Sequence, residues 1–216
     1  MSPLTHALLS WLTANAAPSL GRRARGLITL AGVVPDLDGV GAIPQLLTAH
    51  TAHPVFWGSD YHHVLGHNLL AASAVAVAVA LYSQRRARGT SSLSRERVRD
   101  GLLAGALACA AFHLHLLCDL VGSRGGDGYT WPMSYGFPFT DSLQLSWSGQ
   151  WELDAWPNVA ITAAAIALTL VLAARRGFGP LEVVWPAGDR ALVAVARGWL
   201  ARGRHAARRR RRSRRG

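Results

Sequence analysis

The chain has 216 residues, enough for one domain, with half of them apolar and only 16% charged. Its net charge of +11 is uneven: residues 202–216 carry nine arginines and no acid, so the body is near neutral. That balance excludes an intrinsically disordered chain, and the long charge-free stretches argue against an ordinary soluble enzyme. The main alternative to a membrane protein is a soluble one with a large alanine-rich core.

Residues 3–20 and 26–35 form two short apolar stretches, shorter than a bilayer demands. Three stronger runs follow, at 64–82, 101–121 and 157–174, each close to the roughly 20 residues needed to span hydrocarbon. The expected fold is therefore all-α: a membrane-embedded helical bundle with three strong spanning helices and two shorter N-terminal ones. The bundle domain covers residues 1–180, an amphipathic segment 181–201, and a disordered arginine-rich tail 202–216. The N-terminus lacks the pattern of a cleaved secretory signal, so insertion is expected from internal helices.

Arginine placement gives an orientation. Arginines cluster at 22–25, 85–99 and 175–216, while 26–63 has none and 122–156 has only Arg124. Positive loops stay in the cytoplasm, which predicts five crossings with 36–63 and 122–156 outward. Trp57, Tyr61, Tyr129, Trp131, Tyr135, Trp147, Trp151 and Trp156 all fall in the outward parts, as interfacial aromatics do. Cys109 and Cys118 lie nine apart in one apolar run and read as buried apolar groups.

Ionisable groups inside or beside a membrane are costly, so they point to function. Here they fall to the same outward side: His6; Asp36 and Asp38; His62, His63 and His67; and His115 and Asp119 with His113 nearby; Glu152 and Asp154, in the outward loop, are acid/base or supporting candidates for which cap and turn roles are the stronger expectation. His115 and Asp119 share a helical face, as do His63 and His67, whereas His62 joins them only from a position at or before the helix start. Asp36 and Asp38 converge only if the segment ending at Gly39 turns. Imidazole and carboxylate together suit zinc first, with manganese or iron as alternatives. His50 and His53 are expected to be solvated or packed in their loop, and His113 to be core or supporting.

At these residues the chain resembles a family. Thr5-His6, Pro35-Asp36-Leu37-Asp38, His62-His63-Val64-Leu65-Gly66-His67 and His115-Leu116-Leu117-Cys118-Asp119 resemble the LexA-binding, inner-membrane-associated, metal-dependent hydrolases. The aromatic and proline patch at 129–139 and Trp151-Glu152-Leu153-Asp154-Ala155-Trp156-Pro157-Asn158 extend the resemblance over residues 4–160. Two positions depart from it: His63 stands where arginine is usual and Gly66 where threonine is usual. The resemblance implies a metal-dependent hydrolase of unspecified substrate.

The expected site thus has His6, Asp36, Asp38, His62, His67, His115 and Asp119 around one or two divalent ions. Asp38, His63 and Glu152 are the catalytic candidates: Asp38 as base, His63 to hold an anionic substrate, Glu152 as an acid/base group. A site at the extracytoplasmic interface of an inner-membrane, multi-pass protein suits an amphiphilic substrate such as a lipid phosphoester. The tail, placed in the cytoplasm, is expected to meet anionic lipid headgroups rather than nucleic acid. The alternative is a non-catalytic membrane scaffold or regulator with a structural metal.

Overall fold

In the computed structural model the described residues are 1–86, 94–126 and 128–213, and among them no strand forms. The helices are α1 (Pro3–Ala14), α2 (Arg22–Ala31), a 3-10 helix (Val34–Gly41), α3 (Ala42–Thr48), α4 (Trp57–Tyr61), α5 (Leu69–Arg86), α6 (Ser94–Gly122), α7 (Trp156–Arg176) and α8 (Pro186–Ser213). Two isolated backbone bridges, Arg124 with Glu152 and Met133 with Leu145, tie the long loop between α6 and α7.

Arg95–Gly122 and Trp156–Arg176 are long and apolar enough to cross a membrane. A third crossing exists if Arg22–Ala31 and Val34–Thr48, bent by 44° at their junction, count as one broken span. Five crossings therefore exceed what length and composition support. The strong span expected at 64–82 begins only at Leu69. Two contacts set that start: Asp38, from a distant segment, captures the Gly66 amide, and Asn68 Oδ1 accepts from the Ala71 amide at 2.8 Å, capping α5. α1, with 12 residues, is only about 18 Å long and also too short to cross.

The core is built from small side chains. Ala14, Ala17, Ala31, Ala104, Ala108 and Ala111 are buried with Leu20, Ile28 and Val79. Alanine at the crossings lets α1, α2, α5 and α6 approach closely, the usual solution where lipid removes most of the hydrophobic drive. Gly105 shows how closely: a Cβ there would lie 2.9 Å from the Ala76 carbonyl oxygen. Outside that core, Leu46, Leu47, Leu168, Val184 and Trp156 are exposed, as lipid-facing residues would be.

One buried ion pair fixes α2 against the segment before α8. Arg25 reaches both oxygens of Glu182, at 2.8 and 2.9 Å, donates to the Leu20 carbonyl, and stacks over Phe178 at 4.0 Å. Removing one partner strands a buried charge, which costs about 3–5 kcal/mol. Glu182→Ala is therefore expected to lower the thermal midpoint in detergent sharply. The double variant Arg25→Met/Glu182→Leu is expected to recover most of the loss; equal instability of both would refute this account.

α8 runs on to Ser213, so the segment from 202, expected to be disordered, is helical as far as that residue. Arginine is a good helix former, and a helix already nucleated by its apolar half propagates into it. Residues 214–216 of the expected tail lie outside the described residues.

Chain order then places the site. α1 and α5 begin, α2 and α6 end, and α7 begins at one end of the bundle, while Arg22, Arg23, Arg85 and Arg175 lie at the other ends of their helices.

Candidate metal centre

Each site residue is held by a local feature of the chain. Ser2 caps α1, and Thr5 bonds Thr162 of α7 at 2.7 Å, which seats His6 next to it. Asp36 and Asp38 fall in the 3-10 helix, where three residues make a turn and residues two apart diverge by about 120°. The pair therefore does not converge. Asp36 Oδ1 lies 3.7 Å from His115 Nε2, whereas Asp38 turns away toward His62 and His67. His115 and Asp119 lie one above the other on the last turns of α6, 3.0 Å apart.

The carboxylate of Asp119 is the meeting point. Its Oδ1 lies 3.1 Å from His6 Nε2, and its Oδ2 lies 3.0 Å from His115 Nε2 and 3.6 Å from His67 Nε2. The rings of His6 and His115 stack at 3.7 Å. The amino group of Met1 also touches Asp119, a cation drawn to the same carboxylate.

The tautomers are set from behind. His67 Nδ1 donates to Asp38 Oδ2 at 2.9 Å, and His115 Nδ1 donates to the Gly32 carbonyl at 2.9 Å. Both rings then turn Nε2 inward, and these two atoms stand 3.2 Å apart. Two imidazole lone pairs and a carboxylate at that distance repel unless a proton or a cation lies among them. Such backing by a carboxylate or a carbonyl is how ligating histidines are normally oriented.

The donors form two sets, each within 4.8 Å: His6, Asp36, His115 and Asp119, and His63, His67 and Asp119. Asp119 is common to both, as a carboxylate bridging two ions would be. His6 Nδ1, Asp36 Oδ2 and His63 Nδ1 are buried without a hydrogen-bond partner among the described residues, and His6 Nε2, though 3.1 Å from Asp119 Oδ1, makes no hydrogen bond of proper geometry. Buried polar atoms are rarely left so, and an ion would engage one ligand atom from each of these side chains, though not both nitrogens of His6. By donor chemistry and spacing, the residues fit a divalent metal.

Of the residues expected from the sequence, Asp38 and His62 stand outside both sets. Asp38 binds His62 Nδ1, His67 Nδ1 and the Gly66 amide, so both its oxygens are occupied. Gly66 has a reason here, since a Cβ would lie 2.4 Å from the Pro35 carbonyl oxygen. Glu152 faces Arg124 at 3.6 Å rather than the donors. His113 bonds the Cys109 carbonyl and the Tyr135 hydroxyl, away from the centre, and His50 and His53 are exposed.

His63 belongs to the second set but adopts a left-handed backbone, with φ of 65°, which costs a non-glycine residue about 1–2 kcal/mol. Its ring lies between those of His62 and His67, at 4.3 and 4.4 Å. Burial, with His67 and His62 beside it, pushes its pKa down to about 3. A neutral His63 offers an anion a hydrogen bond but no charge. At His67, burial opposes protonation, but the carboxylate of Asp119 nearby and the bond to Asp38 outweigh it and raise the pKa to about 9. Without metal, its second proton sits where an ion would.

Some supporting residues carry no recognisable sequence signal. Gln150, buried, donates to the carbonyls of Asp119 and Leu120, and Asn158 donates to that of Gly122. Together they satisfy the carbonyls that the end of α6 would leave unpaired. Asn158 lies in the Trp-Pro-Asn run noted above; nothing marked Gln150 or the Gly32 carbonyl.

A cavity of about 530 Å³ opens beside the donors, lined by Asp36, His63, Asp119, Arg124, Trp131 and Asp154 among others. A second, mostly apolar cavity of about 550 Å³ lies between α3 and α4, and His62 and Trp131 line both.

Residues 1–188 match the family model described as YdjM inner membrane protein. No curated protein and no solved structure matches the chain. The inner-membrane part of the resemblance read from the motifs thus holds, while the description names neither LexA nor hydrolysis.

Proposed function

The chain belongs to the YdjM inner membrane protein family, and from that premise we propose that it is a membrane-embedded, metal-dependent hydrolase acting on a phosphoester of an amphiphile. The observation that carries the reading is the convergence of His6, His67 and His115 on Asp119, with two ring tautomers fixed from behind, beside an open cavity.

His6, Asp36, His115 and Asp119 would hold one ion, and His63, His67 and Asp119 a second. Zinc is the first choice for three or more imidazoles with carboxylates. When bound, such an ion polarises the scissile group and lowers the pKa of water. Of the two aspartates in the 3-10 helix, Asp36 would face the ion through Oδ1 and keep Oδ2 as the proton acceptor. It lines the cavity and its Oδ2 has no partner among the described residues, whereas the oxygens of Asp38 are engaged. Asp38 holds His62 and His67 in orientation. Trp131 closes one wall beside His62 and His63.

The apolar cavity behind His62 and Trp131 gives an acyl or isoprenoid tail a place next to the reacting group. The arginine rule puts this end of the bundle on the extracytoplasmic side and the arginine-rich end in the cytoplasm, against anionic headgroups.

The test is turnover of p-nitrophenyl dodecyl phosphate against its methyl analogue, by zinc-loaded protein in detergent. Zinc-dependent release of nitrophenol, faster for the long chain and reduced about 10²–10⁴-fold by Asp36→Asn, is the expected result. If metal removal unfolds the protein and neither ester turns over, the metal is structural and the protein a scaffold.

A further inference from the structure

Arg124 is the only arginine or lysine among the described residues lining the cavity beside the metal centre, and the only arginine between residues 26 and 84 or 122 and 156. Its backbone is fixed on both sides of the loop. Its amide donates to the Trp151 carbonyl at 3.1 Å, and its carbonyl accepts from the Leu153 amide at 3.2 Å. The loop is therefore held by main chain, and the guanidinium is not needed to hold it.

That guanidinium is under-used. Its Nε is buried with no hydrogen-bond partner among the described residues, and its Nη2 stands 3.6 Å from Glu152, beyond hydrogen-bond reach. A guanidinium offers five donors in a planar fork that matches two oxygens of a phosphoryl group. Ser123, beside it in the cavity wall, donates its hydroxyl back to the Asp119 carbonyl, so the wall carrying Arg124 follows directly on from the helical turn of Asp119.

We propose that Arg124 is the phosphoryl-recognising residue of the cavity, held ready by Glu152 and poised beside the Asp119 centre to take an anionic oxygen of the substrate. This rests on the hydrolase reading for its setting and deepens it by naming the side chain of this chain that recognises the phosphoryl group. Glu152 is a positioning residue. It keeps the guanidinium at the cavity wall and yields it when a phosphoryl group arrives.

The test is equilibrium binding of inorganic phosphate and of dodecyl phosphate to the full chain in neutral detergent, with and without zinc. Arg124→Gln is expected to weaken both probes about 10- to 100-fold while leaving zinc content unchanged. Arg124→Lys is expected to recover only part of the affinity, because a point charge cannot form the fork. Glu152→Gln is expected to tighten phosphate a few-fold by releasing the guanidinium, a change that a purely structural role would not produce. A loss confined to dodecyl phosphate marks a lipid headgroup as the ligand; a loss of both marks the phosphoryl group itself. Equal affinity of wild type and Arg124→Gln for both probes overturns the proposal. If no zinc binds but the Arg124 effect persists, the anion site stands and the hydrolase reading falls.

Discussion

Asp119→Ala is expected to leave the purified protein without stoichiometric zinc. Asp119 is the one carboxylate shared by both donor sets, and it lies within 3.6 Å of three inward-facing imidazole nitrogens. Losing it removes a ligand from each set and leaves those nitrogens facing one another. Affinity should fall well beyond the roughly 10- to 100-fold that follows loss of an orienting group. Asp38→Ala supplies that smaller benchmark, since Asp38 only backs His62 and His67. The measurement is metal content after purification together with competition against a chelator. Equal losses for the two variants would mean that Asp38 is itself a ligand. Unchanged zinc in Asp119→Ala would remove the centre altogether.

Zinc affinity is expected to rise with pH, by about tenfold per unit between pH 7 and 9 on account of His67. The sign follows from which species binds metal. A histidine ligates only through a bare nitrogen, so the proton on Nε2 must leave. The pKa of His67 is raised to about 9, so below that pH the metal-free site holds this proton, and zinc must displace it. Above about pH 9 the His67 contribution levels off. His63, with its pKa near 3, is already neutral across this range and adds no slope. The two unit steps amount to about 100-fold, or about 2.7 kcal/mol. Calorimetry in two buffers of different ionisation enthalpy would count the proton released. A flat affinity from pH 7 to 9 with no proton release would show that Asp38 and Asp119 do not hold that proton in the metal-free protein.

The hydrolase reading and the arginine proposal separate cleanly against these results. Metal binding would depend on Asp119, His115 and His6 deep in the bundle, whereas phosphate recognition would depend on Arg124 in the loop beyond α6. A variant of one should leave the other measurable.

Some of the candidate centre was legible in residue type and order alone. The four-residue spacing of His115 and Asp119 on one helical face predicts their contact, and the structure has it at 3.0 Å. The alternation of arginine-rich and arginine-free segments predicts that the remaining His and Asp residues gather at one end, because each apolar helix reverses the chain. The alanine and leucine runs carry the all-helical class for the same reason: a backbone in lipid must satisfy its own hydrogen bonds.

Other features depended on contacts between distant segments. Asp-x-Asp is compatible with a turn, a strand or a 3-10 helix, and only the last, packed under α6, sends Asp36 inward and Asp38 behind the histidines. The helix expected from residue 64 is shortened because Asp38, 28 residues away, takes the Gly66 amide. The Gly32 carbonyl that orients His115 carries no residue-type signal, since every residue has one. Arg124 looked like a lone exception in an arginine-poor loop until the fold set it beside Asp119. Periodicity and charge pattern are local properties, so the chain by itself determines its helices, its lipid-facing character and which residue types are available for chemistry. Which of those residues face one another, and which stand behind to hold them, is settled by long-range packing, because a ligand set is defined by distances that no local pattern encodes.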